Sequence, residues 1–301
     1  FYDVQQVEVL RGPQGTLYGR NATGGSINIT TRGPTQDLSG YINVTAGNYG
    51  RIVTEGAIGG PLVPDVLAAR IAFQTQDRDG FGKNVVTGKD IDNLKTRAVR
   101  GSLLFTPSDR LSVDIKGDYF REKDRAGGYH YFGPAGFSAP GVPIVPFGLA
   151  AGGAVASNIR DISNDIDPRN SVEFWGVSGK VTYDLGGDTE FRSLTAYRRT
   201  KYTTLTDLDS TSAALTPVTQ FERAKQFSQE LQLAGRGDRY TWLAGFFYFN
   251  ENDAGGQPIP FNNFIVGFPL PGTFVQGYYA GGRIKTDAIA VFGQASYEVV
   301  D

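Results

Sequence analysis

The stretch at residues 10–32 is the first place where residue types and spacing could do chemistry, because glycine-rich loops often cradle phosphates. It reads LRGPQGTLYGRNATGGSINITTR. A phosphate-binding loop requires Gly-Lys-Ser/Thr or the GxGxxG spacing, and residues 12–19 have neither. The Asn-x-Thr sequon would carry a glycan only in a eukaryotic secretory context, which nothing else in the sequence indicates. We therefore interpret the glycines as turns around two short strands, at residues 6–10 and 26–31.

The inventory of reactive side chains argues against most catalytic chemistry. The chain has no cysteine, which excludes a disulfide framework, thiolate metal sites and a cysteine nucleophile. His130 is the only histidine, so a zinc–histidine cluster or a serine–histidine pair has too few members. We expect a protein that is not an enzyme and that holds no cofactor and no metal.

Composition narrows the class of protein further. The net charge of −2 offers no basic surface for nucleic acid. Charged residues make up 20% of the chain, below the roughly 25% typical of soluble domains. The 301 residues include no methionine, so we expect a piece of a longer protein. Apolar runs such as FFYF and IAVF are far shorter than the ~20 residues of a membrane-spanning helix, so only strands could cross a membrane.

The secondary-structure elements predicted for most of the chain are strands. Apolar and polar residues alternate at 110–119 and 176–185, and this period of two is the signal of a strand with one apolar face. Less regular alternation extends the prediction to about ten strands. The other eight ranges are 38–47, 52–59, 67–78, 96–106, 188–204, 221–234, 239–250 and 284–300.

Connections between these strands alternate in length, which indicates a membrane barrel. Short turns are predicted at 59–65, 106–110, 185–188 and 235–239, and long loops at 79–95, 121–171, 205–220 and 251–283. Outer-membrane barrels have short turns at one end and long loops at the other. The predicted fold is therefore all-β, a partial antiparallel transmembrane β-barrel. A soluble antiparallel sandwich or barrel remains the alternative.

Aromatic residues near the predicted strand ends fit the same interpretation. In a membrane barrel they would form girdles at the two interfaces, and in a soluble sheet they would pack across strands. The residues are Tyr119, Tyr183, Tyr240, Trp242, Tyr248 and Tyr297.

The segment VEVLRGPQGTLYGRNATGGSINITTRGP resembles the C-terminal half of the plug domain of TonB-dependent outer-membrane receptors. Weaker resemblance to barrel strands of the same family follows at 227–235, 242–249 and 288–299. The residues that carry the plug resemblance are Arg11, Gly12, Pro13, Leu17, Tyr18, Gly19, Ala22, Gly24, Gly25, Ile27 and Asn28.

The resemblance implies a monomeric barrel of about 22 strands with a plug inside its lumen. Residues 1–37 would then be the C-terminal part of the plug, and residues 38–301 the first strands of the barrel. We expect the TonB box, the rest of the plug and the remaining strands to lie outside this chain. The implied partners are outer-membrane lipid, the TonB energy-transducing complex and an extracellular ligand.

The function implied by the resemblance is TonB-dependent active transport of a scarce nutrient, with a ferric siderophore complex as the default cargo. Cobalamin or a carbohydrate are alternative cargoes within the family. A passive, porin-like channel is an alternative of another class, and the plug-like residues 1–35 argue against it. The sequence leaves the ligand unidentified.

A plug must be held in the barrel by contacts that can be broken, and hydrated polar contacts suit this purpose. The family pattern makes Arg11 the first candidate, paired with a carboxylate on the inner wall. Glu230 is the preferred partner and Glu173 the second. The alternative is that Arg11 only bridges turns within the plug.

Ligand contacts are expected in the long loops, where aromatic residues are dense. Exposed aromatic clusters often mark binding surfaces, although these side chains could instead pack together and order the loops. The candidates are Tyr129, His130, Tyr131, Phe132, Phe261, Phe264, Phe268, Tyr278 and Tyr279.

Overall fold

A computed structural model describes residues 2–12, 24–131, 147–260 and 277–299. Strands make up most of this part of the chain, together with one short helix, α1 (Phe147–Ala150). Within the described ranges, no helix has the length and apolar character needed to span a bilayer.

Ten strands form one antiparallel sheet in which each strand pairs with the next along the chain. The ten predicted strands are all confirmed. Their bounds are β3 (Ser39–Gly47), β4 (Arg51–Val63), β5 (Leu67–Arg78), β8 (Leu94–Ser108), β9 (Leu111–Asp124), β10 (Arg169–Gly186), β11 (Thr189–Asp207), β12 (Pro217–Arg236), β13 (Tyr240–Pro260) and β14 (Gly277–Tyr297).

Two smaller sheets accompany the large one. Strands β1 (Val4–Arg11) and β2 (Gly25–Thr31) pair with each other, which confirms the two strands predicted around the glycine-rich stretch. Strands β6 (Gly82–Lys83) and β7 (Asp90–Ile91) form a two-residue ribbon in the connection between β5 and β8.

The connections of the large sheet follow the predicted alternation. Short turns join β4 to β5, β8 to β9, β10 to β11 and β12 to β13, and we call this side of the sheet the short-turn end. At the β10–β11 turn, the two loop residues Gly187 and Asp188 have φ of 60° and 55°, the paired positive values that a two-residue hairpin favours. The longer connections lie at the opposite side, the long-loop end, together with the short β3–β4 turn at residues 48–50.

The two faces of the large sheet follow from its register. Residues opposite one another in antiparallel strands share a face, and Arg70, Ser102, Lys116 and Ser178 lie in one such row across β5, β8, β9 and β10. Arg70 contacts Asp3 of the N-terminal segment, so we call this side the inner face and the other the outer face.

Packed loops cover the long-loop end. Asn84 and Ile162 form an isolated parallel bridge between the loop that contains β6 and β7 and the loop that precedes β10. Both side chains are buried, as are those of Ile91 and Asn164. The Nδ2 atom of Asn84 donates to the carbonyl of Asn164 at 2.9 Å. We call these four residues the outer-loop core.

Candidate functional site

Two rows of outer-face residues mark the edges of an apolar band. Near the long-loop end, one row crosses β9 to β12 with a step of two residues between β10 and β11, and near the short-turn end a second row follows the register directly. The first row is Tyr119, Trp175, Tyr197 and Phe227, and the second is Leu111, Tyr183, Phe191 and Leu233.

The distance between the rows approaches the height of the apolar band of an outer-membrane barrel, about 25 Å. Eight residues separate Trp175 from Tyr183 on β10, which is about 26 Å along a strand and about 20 Å along the membrane normal at a tilt near 40°. Six residues separate Tyr197 from Phe191 on β11, which is about 15 Å along the normal at the same tilt. Ile115, Val177 and Val181 lie between the rows on the same face. The predicted girdle residues Tyr119, Tyr183, Tyr240, Trp242, Tyr248 and Tyr297 all lie on the outer face.

The inner face is polar between the rows and at the level of the first row. Between the rows Lys116 contacts Asp114 at 3.1 Å, and at the level of the first row the Nη2 atom of Arg198 donates to Asp118 at 2.8 Å. Arg198 also lies 5.5 Å above the ring of Phe174. An apolar outer face combined with a polar inner face is the pattern of a transmembrane barrel with a wet lumen.

The register separates the two predicted partners of Arg11. Glu230 lies on the inner face of β12, opposite Leu194, and accepts a hydrogen bond from Gln232. Glu173 lies on the outer face beyond the first row, 3.6 Å from the Nζ atom of Lys201. An outer-face carboxylate cannot meet a plug, so the register favours Glu230 over Glu173. The Arg11–Glu230 ion pair itself stays a prediction.

The described part of the plug-like motif places two of its glycines, Gly12 and Gly25, at positions that favour glycine. Gly12 has φ of 85° and Gly25 has φ of 144°, values that side-chain-bearing residues rarely adopt. A Cβ atom on Gly25 would lie 2.5 Å from the carbonyl oxygen of Leu10 on β1. Arg11 ends β1 opposite Gly25, and Asn28 accepts a hydrogen bond from Ser26 at 3.0 Å.

The remaining residues of the plug-like motif lie partly inside and partly outside the described ranges. Gly24 and Ile27 belong to the described segment, and Ile27 is exposed. Pro13, Leu17, Tyr18, Gly19 and Ala22 lie outside the described residues.

The predicted ligand aromatics fall in two places. Tyr129 is exposed in the loop after β9, and the Nδ1 atom of His130 lies 3.2 Å from the carbonyl oxygen of Asp161. Tyr278 and Tyr279 are exposed but lie on β14, so their assignment to a loop was wrong. The strands β13 and β14 extend beyond the membrane, where the alternating pattern is lost.

Tyr131, next to His130, is half-buried. Phe132, Phe261, Phe264 and Phe268 lie outside the described residues. A ligand-binding role for any of these aromatics stays a prediction.

A buried ion pair joins the N-terminal segment to the wall, and the sequence did not indicate it. The carboxylate of Asp3 accepts hydrogen bonds from Nε of Arg70 at 2.8 Å and from Nη2 at 2.5 Å. Beside it, Arg100 lies 4.8 Å above the ring of Tyr2 and donates to its carbonyl at 3.5 Å. The only available signal was that Arg70 occupies the inner-face phase of an otherwise apolar stretch of β5.

Acidic side chains are buried above the membrane at the long-loop end. Asp207 is fully buried and Asp209 is 5% exposed. Burial, with the neighbouring Asp209 carboxyl, raises the pKa of Asp207 to about 9, and Asp165 adds to the repulsion. Across the described ranges, no three His, Cys, Asp or Glu side chains are arranged to hold a metal ion.

These features together define the class of protein. A sheet with a membrane-matched outer face, a polar inner face and an N-terminal strand pair fastened to that face is part of the wall of an outer-membrane barrel, with a piece of an internal domain.

Sequence similarity to known proteins supports this class. The chain is 31% identical over 252 residues to the pesticin receptor of Yersinia pestis, an alignment that covers 83% of this chain and 34% of that receptor. It is 28% identical over 196 residues to the ferrioxamine B receptor of Salmonella typhimurium, covering 60% of this chain and 25% of that receptor. The chain thus spans about a third or less of these relatives. No protein-family model matches it.

Solved structures show the same fold. The ferric yersiniabactin uptake receptor FyuA of Yersinia pestis superposes with a TM-score of 0.63 at 21% identity, covering 99% of this chain and 50% of that chain. The ferripyoverdine receptor of Pseudomonas aeruginosa gives a TM-score of 0.70 at 16% identity, covering 99% and 40%. The chain belongs to the TonB-dependent outer-membrane receptors and spans part of such a receptor.

Proposed function

We propose that the protein containing this chain imports a ferric siderophore across the bacterial outer membrane, with energy supplied through TonB. The observation that carries the proposal is the β1–β2 pair fastened by Asp3 and Arg70 to the polar inner face of a membrane-matched wall. Relatives named as receptors for ferrioxamine B and ferric yersiniabactin support an iron complex as the cargo.

The proposed division of the chain follows the change of sheet. Residues 1–37 belong to the plug and residues 38–301 to the barrel, because β2 ends at Thr31 and β3 begins the large sheet at Ser39. TonB would contact a segment of the plug outside this chain. The barrel would act as a monomer in outer-membrane lipid, with the aromatic loop residues around Tyr129 and His130 exposed to the ligand.

The relatives are named as receptors and transporters, and we assign no enzymatic step to the chain. A passive channel is the function to separate from active transport. A channel has no need of an internal domain fastened across its lumen, whereas a gated receptor must have one.

Uptake of radioactive iron tests the proposal. The full-length receptor is expressed in a strain that lacks its own siderophore receptors, and the cells are offered ferric yersiniabactin, ferrioxamine B or ferripyoverdine. We expect accumulation of at least one complex, and its loss after addition of a protonophore or deletion of TonB. Accumulation that persists in de-energised cells would identify a passive channel. Absence of accumulation with all three complexes would contradict this substrate class.

A further inference from the structure

The Asp3–Arg70 pair has the geometry of a strong, specific contact. Two nitrogen atoms of the planar guanidinium meet the two oxygen atoms of one carboxylate, which fixes orientation as well as distance. The side chain of Arg70 is 5% exposed and that of Asp3 is 1% exposed. Loss of either partner would leave an uncompensated buried charge, so the two side chains depend on each other.

The backbone at Asp3 is held in an unusual conformation. Its φ is 53°, in the left-handed region that residues other than glycine rarely occupy. The carbonyl of Asp3 accepts a hydrogen bond from the amide of Arg32 at 3.0 Å, just beyond the end of β2. Asp3 therefore joins the wall, through its side chain, to both strands of the β1–β2 pair.

The strand pair has little other attachment to the wall within the described residues. Its apolar side chains Val7, Val9 and Ile27 are 56%, 62% and 68% exposed in this chain. The contacts that hold the segment include those of Arg70 on β5 and Arg100 on β8, and a hydrogen bond between Tyr41 on β3 and the backbone of Asp3. Few buried apolar contacts make a region easy to displace once its polar contacts open.

The contact lies near the short-turn end of the inner face. Arg70 is three residues from the start of β5 at Leu67, where the β4–β5 turn ends, which corresponds to about 10 Å along the strand. A contact at this level attaches the start of β1 to the wall.

We propose that Asp3 and Arg70 are positioning residues that fasten the plug to the barrel wall, and that their ion pair must open before the β1–β2 pair can shift along the inner face. The polarity is opposite to the predicted Arg11–Glu230 contact, since here the plug supplies the acid and the wall supplies the arginine. The role in transport rests on the proposed function, whereas the fastening itself does not.

Hydrogen exchange in the full-length receptor tests the fastening without any ligand or TonB. The purified protein is compared with Asp3→Asn, Arg70→Gln and the double variant, and exchange is followed by mass spectrometry. We expect peptides from β1 and β2 to exchange roughly 100-fold faster or more in each single variant, while β10 to β13 stay unchanged. The double variant should exchange no faster than the single variants, because one shared contact is lost in all three.

Two further variants sharpen the outcome. Arg70→Lys keeps the charge but not the two-nitrogen geometry, so it should exchange at an intermediate rate. Asp65→Asn makes the same chemical change as Asp3→Asn at an exposed turn position and should leave β1 and β2 unaltered. Additive effects of the two neutral substitutions, or unchanged exchange in both, would overturn the proposed fastening.

The consequence for gating is measured in cells with vancomycin, which an intact outer membrane excludes because of its size. Asp3→Asn and Arg70→Gln should make cells more sensitive to vancomycin at equal receptor levels in the membrane, with the Asp65→Asn control unaffected. If exchange is faster but vancomycin sensitivity is unchanged, the pair is structural and the gating role is wrong. Failure of iron uptake by the wild type would contradict the proposed function and leave the exchange result standing.

Discussion

Trp175 and Tyr197 pack against each other on the outer face, with ring centroids 5.4 Å apart. They are diagonal neighbours across β10 and β11, since Trp175 lies opposite Arg199 and Tyr197 lies opposite Val177, and they belong to the row that also contains Tyr119 and Phe227. Aromatic rings of this kind lie at the interface between hydrocarbon and head groups, so this pair sets the depth of the neighbouring residues. Ile115 on β9 falls midway between the two rows.

A charged side chain at position 115 should therefore destabilise the protein. We expect Ile115→Arg to lower the free energy of unfolding of the full-length receptor in phospholipid vesicles by about 2–4 kcal/mol, because the guanidinium would face hydrocarbon at mid-depth. The control is Ser228→Arg on the inner face, two residues from Glu230, which should have little effect. Denaturant unfolding followed by tryptophan fluorescence measures both. Equal losses for the two variants would contradict the assignment of the faces.

A polar cluster lies on the outer face between the rows. The hydroxyl of Thr195 donates to Oε1 of Gln229 at 2.6 Å, and Nε2 of Gln229 donates to the hydroxyl of Ser193 at 3.0 Å. In hydrocarbon no water can replace a lost partner, so these groups must satisfy one another.

Removal of one member of this cluster should lower the free energy of unfolding more than removal of two members does. Thr195→Val leaves the Gln229 carbonyl without its donor, and we expect a loss of about 1 kcal/mol in the same unfolding measurement. The double variant Thr195→Val/Gln229→Leu should recover most of that loss, because no amide remains to be satisfied. A double variant less stable than Thr195→Val would show that Gln229 contributes through another contact.

The sequence predicted the strands well where one face meets lipid, and less well elsewhere. Between the aromatic rows, lipid on one side and water on the other impose a period of two. The predicted strand at 176–185 lies within β10, and the one at 110–119 lies within β9 except for its first residue. Beyond the first row both faces are wet. The pattern is lost there, although β13 continues to Pro260.

The candidate contacts were predicted less completely. The alternation at 176–185 already implied that Glu173 shares the phase of Val177, so its outer-face position was available from the sequence. The ion pair between Asp3 and Arg70 could not be predicted from the sequence, because 67 residues separate the two and a single buried pair leaves no periodic signal. The packing of Asn84 against the loop before β10 could not be predicted for the same reason.

The buried carboxyl of Asp207 should make the outer loops sensitive to pH. Its pKa is raised to about 9, so the folded protein binds a proton that the unfolded chain releases above about pH 4. The folded state then holds more protons between these values, and stability falls as pH rises from about 4 to 9. Asp207 lies ten residues beyond Tyr197 along β11, outside the membrane.

Asp207→Asn should remove this dependence. We expect hydrogen exchange of the outer-loop peptides, compared after correction for intrinsic rates, to show greater protection in the variant than in the wild type at pH 8, and little difference at pH 4. Asp90→Asn, at an exposed position of β7 in the same loops, is the matched control and should follow the wild type at both pH values. A variant less protected than the wild type at pH 8 would mean that Asp207 is needed in its ionised form.

Gly25 should be indispensable to the β1–β2 pair, whereas its neighbour Gly24 should not. Gly25 has φ of 144°, and an added Cβ atom would lie 2.5 Å from the carbonyl oxygen of Leu10. Alanine at this position must therefore move the start of β2 away from β1, at a cost of about 1–3 kcal/mol. Gly24 has no atom within 4 Å of the same added group.

The two alanine variants of the full-length receptor differ by one position and one methyl group, which makes them a strict comparison. Gly25→Ala should speed hydrogen exchange in β1 and β2 and leave β10 to β13 unchanged, and Gly24→Ala should leave all of these strands unchanged. Because β2 also holds the amide of Arg32 against the carbonyl of Asp3, Gly25→Ala should loosen the Asp3–Arg70 contact too. Its effect should then be smaller in an Arg70→Gln background than in the wild type, since the fastening is already open there. Equal effects in the two backgrounds would show that the backbone at Gly25 does not influence the Asp3–Arg70 contact.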